Sequence, residues 1–245
     1  KNSGVISIIH PWESGRDTCP DWDSGMRNIV VPDNLERYAR RDTSHVDSDQ
    51  RPTQEQYDRF ITIVKFGREC GWDNQTIHAE GPFLMADPGV QFIFLRASRD
   101  LLAMAQQLGM DMAVDEIRGW VDRVEAGSDF LWNEEVGGYC ARDLRTRQFS
   151  DAITNASTLS FFADVGSPEQ RASMAAHCRR ILDASSFGMP SWDPDHPAFE
   201  SQRYWRGPVW AIMNHMVIRG LEDAGLADLA ARVRRDTINL IDERG

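Results

Sequence analysis

The sequence predicts an all-α fold: a toroid of helical hairpins, incomplete in this chain. Three observations predict it. Apolar residues recur at helical spacing between capping residues over most of the 245 positions. Strand signals are few. No fixed repeat of roughly 20–50 residues runs through the chain, which disfavours a simple solenoid. Hairpins joined by loops of uneven length suit a ring whose inner helices are apolar, whose outer helices are amphipathic, and whose long loops carry the chemistry. Roughly seven to nine helices are expected, in one domain spanning 1–245 with no internal boundary.

The elements follow in order. Thr53 and Gln56 read as a capping box before Tyr57, Phe60, Ile61 and Val64, and Gly71 closes that helix. Asp87-Pro88 caps a helix whose predicted buried stripe is Phe94, Ala97, Leu101, Ala105 and Leu108, closed by Gly109. A further helix fits Val114–Phe130. Tyr139-Cys140-Ala141-Arg142, after Gly137-Gly138, fits one edge of a short hairpin. Helical periodicity resumes over Asp151–Ala163. Ser167-Pro168 with Gln170 starts a helix carrying Ala172, Ala175, Cys178 and Leu182. Gly207-Pro208 starts another, from Val209 to about Ala224, apolar almost all round and so expected to be buried. Leu226–Asp242 is the last. The chain opens at once into a motif-bearing loop and closes with Asp242-Glu243-Arg244-Gly245 in a helix, so an internal piece of a longer protein is expected.

A formal net charge of −11 excludes general nucleic-acid binding, which needs a basic footprint. No run approaches the ~18 apolar residues of a membrane-crossing helix, and Lys1 to Ile9 is too short for a signal peptide. Cys19, Cys70, Cys140 and Cys178 lie far apart with no CxxC pair, so neither a zinc site nor a disulfide framework is expected. Reduced thiols fit a cytoplasmic protein with no cofactor or metal. Trp12, Trp22, Trp72, Trp192 and Trp205 sit in turn-rich segments, where indole faces can stack on sugar rings, although packing explains most single tryptophans.

Three clusters could carry chemistry. The first is His10-Pro11-Trp12-Glu13-Ser14-Gly15-Arg16-Asp17, in which Pro11 and Gly15 fix a turn expected to bring Glu13 and Asp17 close. Its plain reading is a capped turn with an acidic helix start. Its functional reading is a carboxylic acid held, partly desolvated, beside a leaving oxygen. The second cluster is Tyr204-Trp205-Arg206-Gly207-Pro208-Val209-Trp210, with Asn214 one turn on: either a hydrophobic staple or a sugar platform. The third is Arg51-Pro52-Thr53 with Tyr57. An arginine at a helix N-terminus is not favoured by the dipole and hints at an anion, whereas the plain reading is a solvated charge beside a core tyrosine.

His10 to Asp17, followed by Pro20 and Trp22-Asp23, resembles the acid-bearing loop of glycoside hydrolase family 63 and its trehalase relatives. Residues 204–210 resemble that family's second signature. Arg40-Arg41-Asp42-Thr43-Ser44-His45-Val46-Asp47, Arg51-Pro52-Thr53 with Tyr57-Asp58-Arg59, and Asp87-Pro88-Gly89 are similar to the mannosylglycerate and glucosylglycerate hydrolase branch. The resemblance implies an (α/α)6 toroid of the six-hairpin glycosidase type. It also implies inverting hydrolysis of an α-glycosidic bond in a small glycoside, glucosylglycerate or mannosylglycerate. Asp17 is then the general acid. Trp12 and the Tyr204-Trp205-Arg206-Gly207 loop line the glucose or mannose subsite, and Arg51 and Tyr57 hold the glycerate. Two departures stand out. The family usually has Asp-Asn-Ser-Pro where this chain has Asp17-Thr18-Cys19-Pro20, and its general base, a glutamate, would fall just beyond Gly245. Two alternatives remain: an α-glucosidase or trehalase-like enzyme on a neutral sugar, and a non-catalytic sugar-binding fragment. The partners expected are a small-molecule glycoside and either a second copy of the chain or the remainder of the toroid.

Overall fold

The computed structural model describes residues 3–36 and 38–244, and the expectations that touch Lys1 and Gly245 lie outside them. Eight α-helices are present among the described residues: α1 (Asp23–Arg27), α2 (Gln54–Glu69), α3 (Asn74–Glu80), α4 (Pro88–Gln107), α5 (Asp111–Ser128), α6 (Pro168–Ala184), α7 (Ala211–Asp223) and α8 (Ala227–Arg244). Short helices α1 and α3 have too few residues to show a periodic stripe and are not anticipated by one. The helices pack as hairpins, α4 on α5 and α7 on α8. None is long and apolar enough to cross a membrane. All four cysteines are free thiols.

The expected capping boxes form at Thr53–Gln56 and Ser167–Gln170. Asp87 caps α4 by accepting from the Gly89 and Val90 amides. Two small antiparallel sheets stitch the helices together. Strand β2 (Met85–Ala86) lies between β1 (Ser7–Ile8) and β5 (Arg142–Asp143), and β3 (Trp132–Asn133) pairs with β4 (Gly138–Tyr139). The expected edge at Tyr139–Arg142 therefore divides between two sheets. Two glycines allow close crossings: a Cβ on Gly127 would lie 2.3 Å from the Gly4 backbone, and one on Gly220 would lie 2.3 Å from the Phe162 amide.

Three expectations change. Residues 151–163 do not form the expected helix; they fold into buried turns with one 3-10 turn at Ser157–Ser160. The side chains compete for the backbone there. Thr154 Oγ1 accepts from the Ala156 and Ser157 amides, Ser157 Oγ accepts from the Thr154 amide, and Thr158 Oγ1 donates to the Asn155 carbonyl. Helix α4 buries a different face. Gln91, Phe92, Leu95 and Ser98 are inside, whereas Phe94, Ala97, Leu101 and Leu108 are exposed; of the expected stripe only Ala105 is buried. The buried Gln91 decides the rotation, accepting from the Ile6 amide and donating to the Gly4 and Val124 carbonyls. Helix α7 starts at Ala211, because Val209 is held extended by a bridge to Pro190 and Trp210 is the N-cap. It buries Met213, Val217 and Leu221 but exposes Ile212 among the described residues.

Candidate active site

Strand β1 delivers the chain into a 3-10 turn at Pro11–Ser14, closed by Gly15 at φ 68°. His10 caps the turn: its Nδ1 accepts from the Trp12 amide, so the ring proton sits on Nε2 and donates to the Phe60 carbonyl of α2 at 3.1 Å. Burial drives the His10 pKa down to about 4, against a smaller upward pull from Phe60. Trp12 is thereby fixed in an aromatic corner, 4.4 Å from the His10 ring, 5.6 Å from Phe60 and 5.9 Å from Tyr57, with its outer face exposed. Glu13 bonds back to the segment that precedes the turn. Its carboxylate accepts from the Ile9 amide at 2.6 Å, closing the turn on itself.

Asp17 is half-buried. Burial pushes its carboxyl above the usual carboxylate range, its own backbone amide and Arg51 pull it back, and Asp42 adds to the rise. The residue before it, Arg16, is the centre of a buried cluster. Arg16 reaches Asp21 at 3.1 Å and Asp87 at 2.6 Å, and its Nη1 donates to Cys19 Sγ. The departures at Thr18 and Cys19 thus have protein partners: Cys19 Sγ donates to Asp21, and Thr18 Oγ1 accepts from the Trp205 amide at 3.3 Å.

The third cluster couples to Asp17 through the charges of Arg51 and Asp42. Arg40 grips Asp42 with two nitrogens, at 3.1 and 2.6 Å, and donates to the Pro52 carbonyl. Its guanidinium lies 4.6 Å over the Tyr57 ring, which stacks on Tyr38 on the other flank. The Arg51 guanidinium lies 4.0 Å over the Tyr204 ring, and its Nε is 3.7 Å from Asp42, too far for a hydrogen bond. Arg51 therefore has a cation–π partner but no hydrogen-bond acceptor among the described residues.

The second cluster completes the arrangement. Trp205 stacks on Trp210 at 4.3 Å and 7°, and the buried Trp205 Nε1–H has no acceptor among the described residues. Tyr204 adopts φ 33°, a strained value for a bulky residue. Gly207 packs against its own loop, where a Cβ would meet the Glu200 carbonyl at 2.4 Å. Arg206 turns to protein carboxylates, pairing with Asp23 and Glu200. Among the loop tryptophans, Trp22 and Trp192 are core residues. Trp72 lines an apolar cavity of about 250 Å³ with Trp12, Glu13 and Phe83; Asp17 is not on its wall.

Trp12, Asp17, Arg51, Tyr57, Tyr204 and Trp205 thus converge through direct contacts and charge coupling, although they span nearly the whole chain. Tyr38, Arg40 and Asp42 also shape this region, and none of them was assigned a role from sequence. The available signal was the charged run Arg40-Arg41-Asp42, which taken alone reads equally well as a solvated loop. Such an arrangement offers a desolvated acid, a cation with open donors, and aromatic faces.

The family described as the mannosylglycerate hydrolase MGH1-like glycoside hydrolase domain matches residues 1–245. The chain is 40% identical over 245 residues to mannosylglycerate hydrolase MGH1 of Selaginella moellendorffii, covering 100% of this chain and 50% of that one. It is also 40% identical to a mannosylglycerate hydrolase of Thermus thermophilus, over 99% of this chain and 58% of that protein. The crystal structure of a GH63 mannosylglycerate hydrolase from Thermus thermophilus, in complex with Tris and D-glycerate, superposes with TM-score 0.94 at 38% identity; the match covers 100% of this chain and 58% of that one. The fold is thus that of the corresponding part of a GH63 toroid, and the chain spans about half the length of the curated relatives it matches.

Proposed function

The chain belongs to the MGH1-like glycoside hydrolase family, and from that premise we propose that it carries the acid side of an inverting glycosidase centre acting on mannosylglycerate or glucosylglycerate. Asp17 is the general acid. Residues 1–245 are part of a single toroidal catalytic domain working without a metal or cofactor. Free cysteines fit a cytoplasmic setting.

In this reading Asp17, whose partly desolvated position favours the protonated form, gives its proton to the bridging oxygen as the glycosidic bond breaks. A second carboxylate, supplied by a glutamate from outside residues 1–245, takes a proton from water that attacks the anomeric carbon from the opposite face. That geometry needs roughly 6.5–9.5 Å between the two carboxyls. Trp12, Tyr204, Trp205 and the backbone at Gly207 face the hexose. Arg51 and Tyr57 hold the glycerate, with the Arg51 donors open to pair with its carboxylate.

The observation that carries this reading is the position of Asp17 between the open cation of Arg51 and the loop of Trp205, which bonds the residue next to it. Asp17→Asn in the full-length protein is expected to lower kcat on mannosylglycerate by about 10²–10⁴ without unfolding it. Normal turnover would overturn the assignment. A substrate panel is expected to favour glycerate-bearing glycosides over trehalose; the reverse order would move the substrate to a neutral disaccharide.

A further inference from the structure

We propose that Arg206, acting with Asp23, is a positioning residue for hydrolysis: the pair locks the tyrosine–tryptophan loop onto the acid loop and so fixes where the Asp17 carboxyl stands relative to the sugar. This rests on the reading of Asp17 as the acid and deepens it.

Arg206 sits among residues read as lining the sugar, yet its guanidinium is consumed by protein. Nη1 and Nη2 donate to the two Asp23 oxygens at 3.0 Å each, Nε donates to Glu200 at 2.7 Å, and Nη1 also reaches the Thr18 carbonyl at 3.3 Å. The side chain is almost fully buried. Asp23 and Thr18 both belong to the segment that leaves the acid. Thr18 follows Asp17 directly, and it is held twice, at its carbonyl by Arg206 and at its hydroxyl by the Trp205 amide. Residues about 183 positions apart are therefore fixed by one two-pronged contact.

A fork-on-fork pair fixes rotation as well as distance, which a lysine cannot do. Displacing a proton donor by about 1 Å can cost about 10²-fold in rate. The groups facing Asp17 are Arg51, Asp42 and Tyr57. Those facing Arg206 are Asp23 and Glu200, and Glu200 is also held by Arg203. The two sets share no member, so neither variant removes a group that faces Asp17 directly.

The test uses the full-length protein with Arg206→Lys and the near-isosteric Asp23→Asn, each assayed on mannosylglycerate across pH. Both variants are expected to lower kcat by about 10–100-fold with KM within about 3-fold. The alkaline limb of the kcat profile reports loss of the acid's proton in the bound complex. It is expected to move to lower pH, because a loosened loop admits water to Asp17. Unchanged kcat and an unmoved limb in a folded Asp23→Asn protein, with only a lower Tm, would make the pair a structural staple and overturn the proposal. If Arg206→Lys does not fold, Asp23→Asn decides alone. Failure of the underlying reading is separate, since it appears as full turnover by Asp17→Asn whatever the clamp variants do.

Discussion

Arg16, next to Asp17 in the chain, and Arg51, which acts on the Asp17 carboxyl, each face acidic side chains, yet they are built for different ends. Arg16 is buried and bonded to Asp21, Asp87 and Cys19. Arg51 lies over the Tyr204 ring, approaches Asp42 at 3.7 Å, and has no hydrogen-bond acceptor among the described residues. The difference separates two uses of an arginine. A cation whose two terminal nitrogens both bond protein groups closes the structure beside the acid. A cation whose donors are left open, with its ring partner keeping it in place, is available to an anion.

The largest effect should come from breaking the closed side. Arg16→Met leaves Asp21 and Asp87 buried without their cation and should cost about 3–5 kcal/mol in denaturant unfolding. The matching Arg51→Met variant should cost no more than about 1 kcal/mol, since that side chain makes no hydrogen bond. Equal losses would erase the contrast. The next effect is pH-dependent and concerns His10. Its pKa is about 4 in the folded state against 6.5 unfolded, so between these values the unfolded chain binds more protons. Stability should fall as pH drops from about 6.5 to 4, by about 3 kcal/mol in all, and His10 should add no slope above that window. His10→Asn should flatten this segment of the curve, and an unaltered slope would show that His10 is not its source.

On the open side, Arg51→Met should raise KM for glycerate-bearing glycosides by about 10–100-fold while sparing kcat, as expected when uniform binding is lost. An equal rise with a neutral disaccharide would remove the glycerate role. Cys19→Ser should be the smallest change, within about 1 kcal/mol, because a hydroxyl can still accept from Arg16 and donate to Asp21.

The parts of the fold legible in the sequence are those written in local chemistry. The capping boxes at Thr53 and Ser167 and the Asp87 cap need only residues a turn apart, and all form. The parts that escaped depend on distant partners. Helix α4 faces inward by Gln91, whose partners lie on the opening strand segment and on α5, so its apolar spacing pointed to the wrong side. Residues 151–163 have helical periodicity, but Thr154, Ser157 and Thr158 satisfy the backbone with their own hydroxyls. In the site, the motifs marked which residues would gather, but not how Arg206 would turn. Its role depends on Asp23, far off in sequence, whereas Glu13 bonds an amide only four residues back.

The central claim is that Asp17 gives a proton to the leaving oxygen, and leaving-group chemistry tests it most directly. The full-length Asp17→Asn variant should be assayed on mannosylglycerate and on the corresponding α-mannosyl fluoride, whose departing fluoride needs no protonation. The expected result is a loss of at least about 10²-fold on the glycerate glycoside, with fluoride hydrolysis kept within about 10-fold of wild type. Equal loss on both substrates, or loss on neither, would contradict it.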